Sequence, residues 1–173
     1  MLGELITSKT RLRLLIKFFV SQANRGYLNG LATEMGESTN AIRKELNHLH
    51  GAGYLKKINN NNNNNKVEYT ADTSHPLFEV LQKVVLKHLG LEDVVNEVLE
   101  RMGAVQQIIL VGDYAQGIDS GNLEVFLIGE GLDTQYIAQL EPKIEDLIRR
   151  KVSLYVGTKF SQNQTHIVLY KSE

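Results

Sequence analysis

The sequence predicts a mixed α+β chain built from two folded parts joined by helices. Three observations predict it. Apolar residues recur at helical spacing across residues 8–53, then give way to two short strand-like runs around an asparagine tract. Two more helical patterns follow across 75–103 with no strand between them. Strand-like runs then flank one long helical pattern up to residue 170. The 173 residues suffice for one ordinary domain or two small ones. The expected units are residues 1–72, a helical connector over 73–103, and a small α/β unit over 104–173.

The N-terminal elements follow in order. "SKTRLRLLIKFFVSQ" (8–22) places Leu12, Leu15, Ile16 and Phe19 on one helix face. "GYLNGLATEMG" (26–36) reads as a short second helix ending at Gly36, where glycine suits a tight turn between crossed helices. "ESTNAIRKELNHLHGAG" (37–53) reads as a third helix with Ser38 as N-cap and Gly51 or Gly53 at its end. Ile42, Leu46 and Leu49 form its apolar face, and Asn40, Arg43, Lys44 and Asn47 a polar one beside Thr39. Arg and Asn can make paired hydrogen bonds to guanine and adenine edges. From this helix alone, a DNA-reading face and an ordinary solvated face are both open. "YLKKI" (54–58) and "KVEYT" (66–70) read as strands flanking Asn59–Asn65.

Bulk properties narrow the function classes. A hydrophobic content of 42% with 23% charged residues is that of a water-soluble globular chain. "LLIKFFV" is too short to span a bilayer and carries Lys17, so a cytoplasmic protein without a membrane partner is expected. There are no cysteines, which excludes disulfides, thiolate metal sites and cysteine nucleophiles. The net charge of −1 hides a split. Residues 1–66 hold ten bases against four acids, whereas the remainder holds nine against sixteen. A basic end on a near-neutral chain points to a local polyanionic partner.

Three helices followed by a hairpin, with "GLATEMGESTNAIRKELNHLHGAGYLKKI" at the centre, resemble the winged-helix family, in particular bacterial repressors of the arsenic-repressor type. The resemblance covers about residues 8–72. It implies that Thr39, Asn40, Arg43, Lys44 and Asn47 face the major groove of double-stranded DNA, and that Lys56, Lys57 and Lys66 approach phosphates at the wing. The asparagine run would be the wing tip, either touching the minor groove or serving as a loop that tolerates length. The family's metal sensors use cysteines, which this chain lacks, and its five histidines are scattered or off one face, so no metal site is expected.

In the middle, Pro76 suits the first position of a helix. Leu77, Leu81, Val84, Val85 and His88 then lie along one side, and Val94, Val95, Val98, Leu99 and Met102 continue the pattern after Gly90. This stripe could pack on a neighbouring domain or on a second chain, and a homodimer through it is expected, since winged helices often bind paired half-sites. The C-terminal part reads as strands at 106–111, 122–129, 152–156 and 166–170, with a helix over 134–151 that Pro142 is expected to kink.

"VGDYAQGIDSGNLEVFLIG" (111–129), a strand, a glycine-bearing turn and a second strand, resembles the minimal nucleotidyltransferase domain of the DNA polymerase beta superfamily. The resemblance implies a phosphate-holding Gly-Ser turn and three carboxylates on two magnesium ions. Here the turn is Gly112-Asp113 with Gly117 retained, the carboxylate pair falls on Asn122 and Glu124, and "VSLYV" supplies no third acid. Three altered parts argue against two-metal catalysis, so no catalytic residue, metal or cofactor is assigned. The expected function is sequence-specific transcriptional regulation, with the degenerate unit binding an effector or partner, or serving as scaffold. The alternative is an active transferase using Glu124 with Asp119 as stand-in. A third class has the winged helix meeting protein.

Overall fold

A computed structural model describes residues 2–59 and 66–173. Among the described residues the chain forms eight helices and two sheets. This mixed α/β architecture is compatible with a winged helix plus a small α/β domain. Two compact units divide it, Met1–Val85 and Leu86–Glu173. The expected wing tip at 60–65 lies outside the described residues. No helix among the described residues is long and apolar enough to cross a membrane.

The first unit runs α1 (Leu2–Leu5), α2 (Lys9–Phe19), β1 (Arg25–Tyr27), α3 (Leu28–Met35), α4 (Thr39–Gly51), β2 (Leu55–Asn59) and β3 (Val67–Ala71). Ser8 starts α2, its Oγ accepting from the Arg11 amide at 3.1 Å. The expected apolar face of α2 was too narrow: Leu14 and Phe18 are fully buried, whereas Leu12 is half-buried. The helix touches both α4 and β3, so more than one side is covered. Gly36 ends α3 in the left-handed region at φ 62°, which permits the tight turn into α4. Ser38 caps α4 as its position suggested, accepting from the Ala41 amide at 3.1 Å.

One expectation is corrected here. Residues 26–36 are not one helix, because Arg25–Tyr27 forms a strand before α3 begins. It pairs antiparallel with β3, Arg25 opposite Thr70 and Tyr27 opposite Glu68, giving the sheet order β1-β3-β2. A three-residue strand is stabilised by a partner far along the chain, and no local periodicity announces it.

The second unit contains α6 (Leu91–Met102), β4 (Val105–Val111), α7 (Gly112–Ala115), β5 (Asn122–Gly129), α8 (Thr134–Ile148), β6 (Lys151–Gly157) and β7 (Ile167–Lys171). The unit division falls inside α5 (Phe78–Leu89), so the stretch 73–103 contributes to both units. The sheet order is β6-β5-β4-β7, with β5 and β6 parallel and the other pairs antiparallel. Leu123, Val125 and Leu127 alternate along β5 and are fully buried, as are Val94 and Val98 of α6 and Leu140 and Ile144 of α8. Each such side chain contributes about 1.5–3 kcal/mol of burial free energy.

The helix expected over 134–151 passes Pro142 as one element and stops at Ile148, where Arg149 turns left-handed at φ 59°. Lys151 opens β6 instead. Glu141 and Glu145, one turn apart on α8, accept from the Leu154 and Val152 amides at 2.8 and 3.0 Å. They occupy backbone donors along an edge strand that would otherwise be open to pairing. The Val152 amide is the main cause that holds the Glu145 carboxyl below its ordinary value.

Candidate functional site

The polar and apolar residues of α4 are segregated except at Glu45, which is buried among the apolar ones. Ile42, Glu45, Leu46 and Leu49 are buried, while Thr39, Asn40, Arg43, Lys44 and Asn47 are exposed. The five residues expected to face DNA therefore share one accessible surface. Within it, Arg43 Nη1 donates to Asn40 Oδ1 at 2.9 Å.

The basic surplus of this part sharpens once ion pairs are assigned. Arg11 meets Glu45 at 2.8 Å, Arg13 meets Glu37 at 3.1 Å, and Lys17 meets Glu34 at 2.7 Å. All three bases lie on α2, and their acids lie on α3, α4 and the turn between them. The pairs thus clamp α2 to the helix–turn–helix. Glu45 also accepts from the Ser8 hydroxyl at 3.2 Å, and Arg13 donates to the Met35 carbonyl at 3.0 Å. Within residues 1–66 only Glu4 then stands against Lys9, Arg25, Arg43, Lys44, Lys56, Lys57 and Lys66, all exposed. Most of the remaining basic charge lies on α4 and the small sheet, where Glu68 of β3 and Asp72, which interacts with Lys56, stand against it.

The hairpin lysines do not act as one group. Successive strand residues point to opposite faces. Lys57, opposite Tyr69, lies with its ammonium 5.9 Å from that ring's centroid, on the face that carries buried Leu55 and Ala71. Lys56 is opposite Thr70 on the other face, in one cross-strand row with Arg25. Lys66 is exposed just before β3. In the sequence Arg25 stands just ahead of the segment read as helix (26–36), with nothing to assign it to a strand. Its partner in the row becomes visible only once β1 is paired.

In the second unit, the turn after β4 is built around Gly112 at φ 67°. A Cβ there would stand 2.0 Å from Glu124 Oε2, so the carboxylate and the turn's backbone are in direct contact. Tyr155 Oη donates to Glu124 Oε1 at 3.2 Å, and Ser153 Oγ donates to Asn122 Oδ1 at 3.2 Å. Partial burial, and then Glu124, push the Tyr155 hydroxyl above its ordinary value. The parallel register sets Glu124 beside Ser153 and Phe126 beside Tyr155, and β6 contributes no acid to this face.

Asp113 is exposed, and its carbonyl closes the turn by accepting from the Gln116 and Ile118 amides at 3.0 Å each. Gly117 continues the turn at φ 78°, its amide donating to the Tyr114 carbonyl. Asp119, the stand-in carboxylate of the transferase alternative, accepts from the Tyr114 hydroxyl and lies 3.6 Å from Arg150 Nε. Burial, and then this hydrogen bond, push the fully buried Tyr114 hydroxyl up to about 12. Arg150 also donates to the His88 carbonyl at 3.1 Å. Burial first, and then Arg150, hold the His88 imidazole below its ordinary value. Among the described residues no group of three acids or histidines is placed to hold a metal ion.

No protein-family model matches this sequence, and no curated protein matches it. Among solved structures, the chain is similar to a mutant MntA–HpeT toxin–antitoxin at 18% identity and a TM-score of 0.43, covering 48% of this chain and 73% of that one. It is similar to a mutant ZitR of Lactococcus lactis in apo form at 16% identity and a TM-score of 0.42, covering 58% and 76%. It is also similar to the adhesin competence repressor AdcR of Streptococcus pyogenes at 17% identity and a TM-score of 0.41, covering 57% and 75%. At these scores the likeness transfers no property to this chain, and its function is argued from its own geometry.

Proposed function

We propose that this protein is a sequence-specific DNA-binding regulator. Its first unit is a winged helix that sets α4 in the major groove, with Thr39, Asn40, Arg43, Lys44 and Asn47 toward the bases and backbone. Lys56 and Lys66 approach phosphates from the hairpin, with Arg25 in the same cross-strand row as Lys56, whereas Lys57 lies over Tyr69 on the other face. The observation that carries this reading is the segregation of α4: its polar face is exposed and basic, while the acids nearby are already consumed by α2. A basic stripe along one helix face is the electrostatic footprint of a nucleic-acid reader.

The second unit is a nucleotidyltransferase-like fold that serves the regulator without turnover, as the place where an effector or partner binds. Four contacts support this. Tyr155 engages Glu124, Ser153 engages Asn122, and Tyr114 and Arg150 engage Asp119. Each acid or amide that the transferase alternative would need already has a side-chain partner.

The regulator binds as a two-fold dimer. Leu77, Val80 and Val84 are exposed at 45%, 55% and 37%, with half-buried Leu81 beside them. The positions 77, 80, 81 and 84, the first just ahead of α5, map onto themselves when the segment is reversed. An antiparallel second copy would therefore set Leu77 against Val84 and Val80 against Leu81, the isologous pairing that two-fold symmetry requires.

The test is fluorescence anisotropy with a labelled duplex from upstream of the protein's own gene, at two salt concentrations, with unrelated DNA as competitor. Each phosphate neutralised contributes a slope of about −0.9 in log K against log salt. The reading predicts tight, salt-dependent binding that the competitor does not remove, with Lys44→Ala flattening the slope by about one. Salt-independent association, or equal displacement by any DNA, would overturn it.

A further inference from the structure

We propose that Arg43 reads a guanine and that Asn40 is its positioning residue, not a base reader in its own right. This inference rests on the DNA-binding reading above. By residue type alone both side chains qualify as readers, Arg for guanine and Asn for adenine. The structure separates them. Asn40 and Arg43 are three apart on α4 and so adjacent on its surface, and Arg43 Nη1 donates to Asn40 Oδ1 at 2.9 Å.

The consequences for the two residues are opposite. A guanidinium carries five N–H donors. Spending one on Asn40 leaves enough for the parallel pair that meets guanine O6 and N7, and removes much of the freedom that binding would otherwise have to freeze. An asparagine reads adenine only by presenting its carbonyl oxygen and its NH₂ together. The oxygen keeps a second lone pair, but the Arg43 bond turns the Asn40 amide along the helix, so its oxygen and NH₂ are oriented by Arg43 and not by the plane of an adenine.

The platform beneath the pair is fixed. Ser38 caps the helix two residues before Asn40, and Ile42, Glu45 and Leu46 anchor its opposite face in the core. Arg13 ties down the preceding turn through Met35 and Glu37. The guanidinium is therefore restrained at its tip by Asn40 and at its base by the helix.

The experiment is selection of duplexes from a random pool by the full-length protein. Anisotropy follows on the enriched site and on copies in which each guanine is replaced singly by 7-deazaguanine, which keeps base pairing and removes the N7 acceptor. The expected result is one guanine per half-site whose replacement weakens wild-type binding by about 5- to 150-fold. Arg43→Ala, which removes the donors, should bind the guanine and deazaguanine duplexes almost equally. Asn40→Ala should keep the same guanine dependence at several-fold lower affinity and an unchanged salt slope. Both side chains are exposed, so both variants should keep the wild-type melting curve. If a motif is enriched but Arg43→Ala retains the guanine dependence, or Asn40→Ala abolishes preference for an adenine instead, the assignment fails and the DNA-binding reading survives. If no motif is enriched, the DNA-binding reading fails and takes the assignment with it.

Discussion

Gly112→Ala probes the heart of the second unit, and its cost divides into two terms that can be measured apart. The backbone there sits at φ 67°, which costs an L-residue about 1–2 kcal/mol. The smaller conformational freedom of unfolded alanine returns about 0.4–1 kcal/mol. The net backbone term is therefore about 1 kcal/mol. The second term is contact. The new Cβ would stand 2.0 Å from Glu124 Oε2 and 2.9 Å from its Cδ, but 3.4 Å from its Cβ. Only the far end of a flexible side chain is in the way, so Glu124 swings out and gives up the Tyr155 hydrogen bond. Losing one such hydrogen bond near solvent costs about 0.5–1 kcal/mol.

The total is then about 2 kcal/mol in the wild-type chain and about 1 kcal/mol in a Glu124→Ala background, where the obstruction is gone. Native-state hydrogen exchange at the Leu110 and Leu127 amides, in the centre of the sheet, reports the stability of this unit without averaging in the other. Equal costs in the two backgrounds would refute the reasoning, because the carboxylate would then not be what the glycine makes room for.

Three further outcomes follow from other contacts. Tyr114 titrates at about 12 in the fold against an ordinary 10.0, so the folded state holds its proton more tightly. The stability this confers, about 3 kcal/mol, is fully present below pH 10 and lost as the pH rises to about 12; urea titrations across that window should show a fall that Tyr114→Phe lacks. Glu45→Ala leaves Arg11 and Ser8 without their partner and should lower the stability of the first unit by about 1–3 kcal/mol, with Arg11→Ala adding little on top, as read by a urea double-mutant cycle. Val80→Asp places a charge in the middle of the α5 stripe and should convert a light-scattering mass of two chains to the single-chain 19.5 kDa at micromolar concentration; a wild type that is already monomeric there would remove the α5 dimer.

Much of the α4 surface was legible from spacing. Its period placed Ile42, Leu46 and Leu49 inward and Asn40, Arg43, Lys44 and Asn47 outward, and burial in the structure follows that division. Glu45 falls outside the scheme. A carboxylate reads as polar and exposed, yet it is buried because Arg11 and Ser8, more than thirty positions earlier, reach it. The charge split was also legible, but not its location. Arg11, Arg13 and Lys17 count toward the basic surplus in the sequence and are neutralised pairwise in the fold.

By itself, then, the sequence determined the helical faces, the main strands, the absence of thiol chemistry and the residue types of the turn from Gly112 to Glu124. These depend on side-chain type and on periods of 3.6 and 2, which are local properties. Tertiary structure decided the rest. It made Arg25–Tyr27 a strand, put Lys56 and Lys57 to different uses, divided the helical stretch 73–103 inside α5, and gave Asp119 to Tyr114 and Arg150. Each of these outcomes depends on a partner brought close only by folding, and the energy of a hydrogen bond or ion pair depends on that distance and not on separation along the chain.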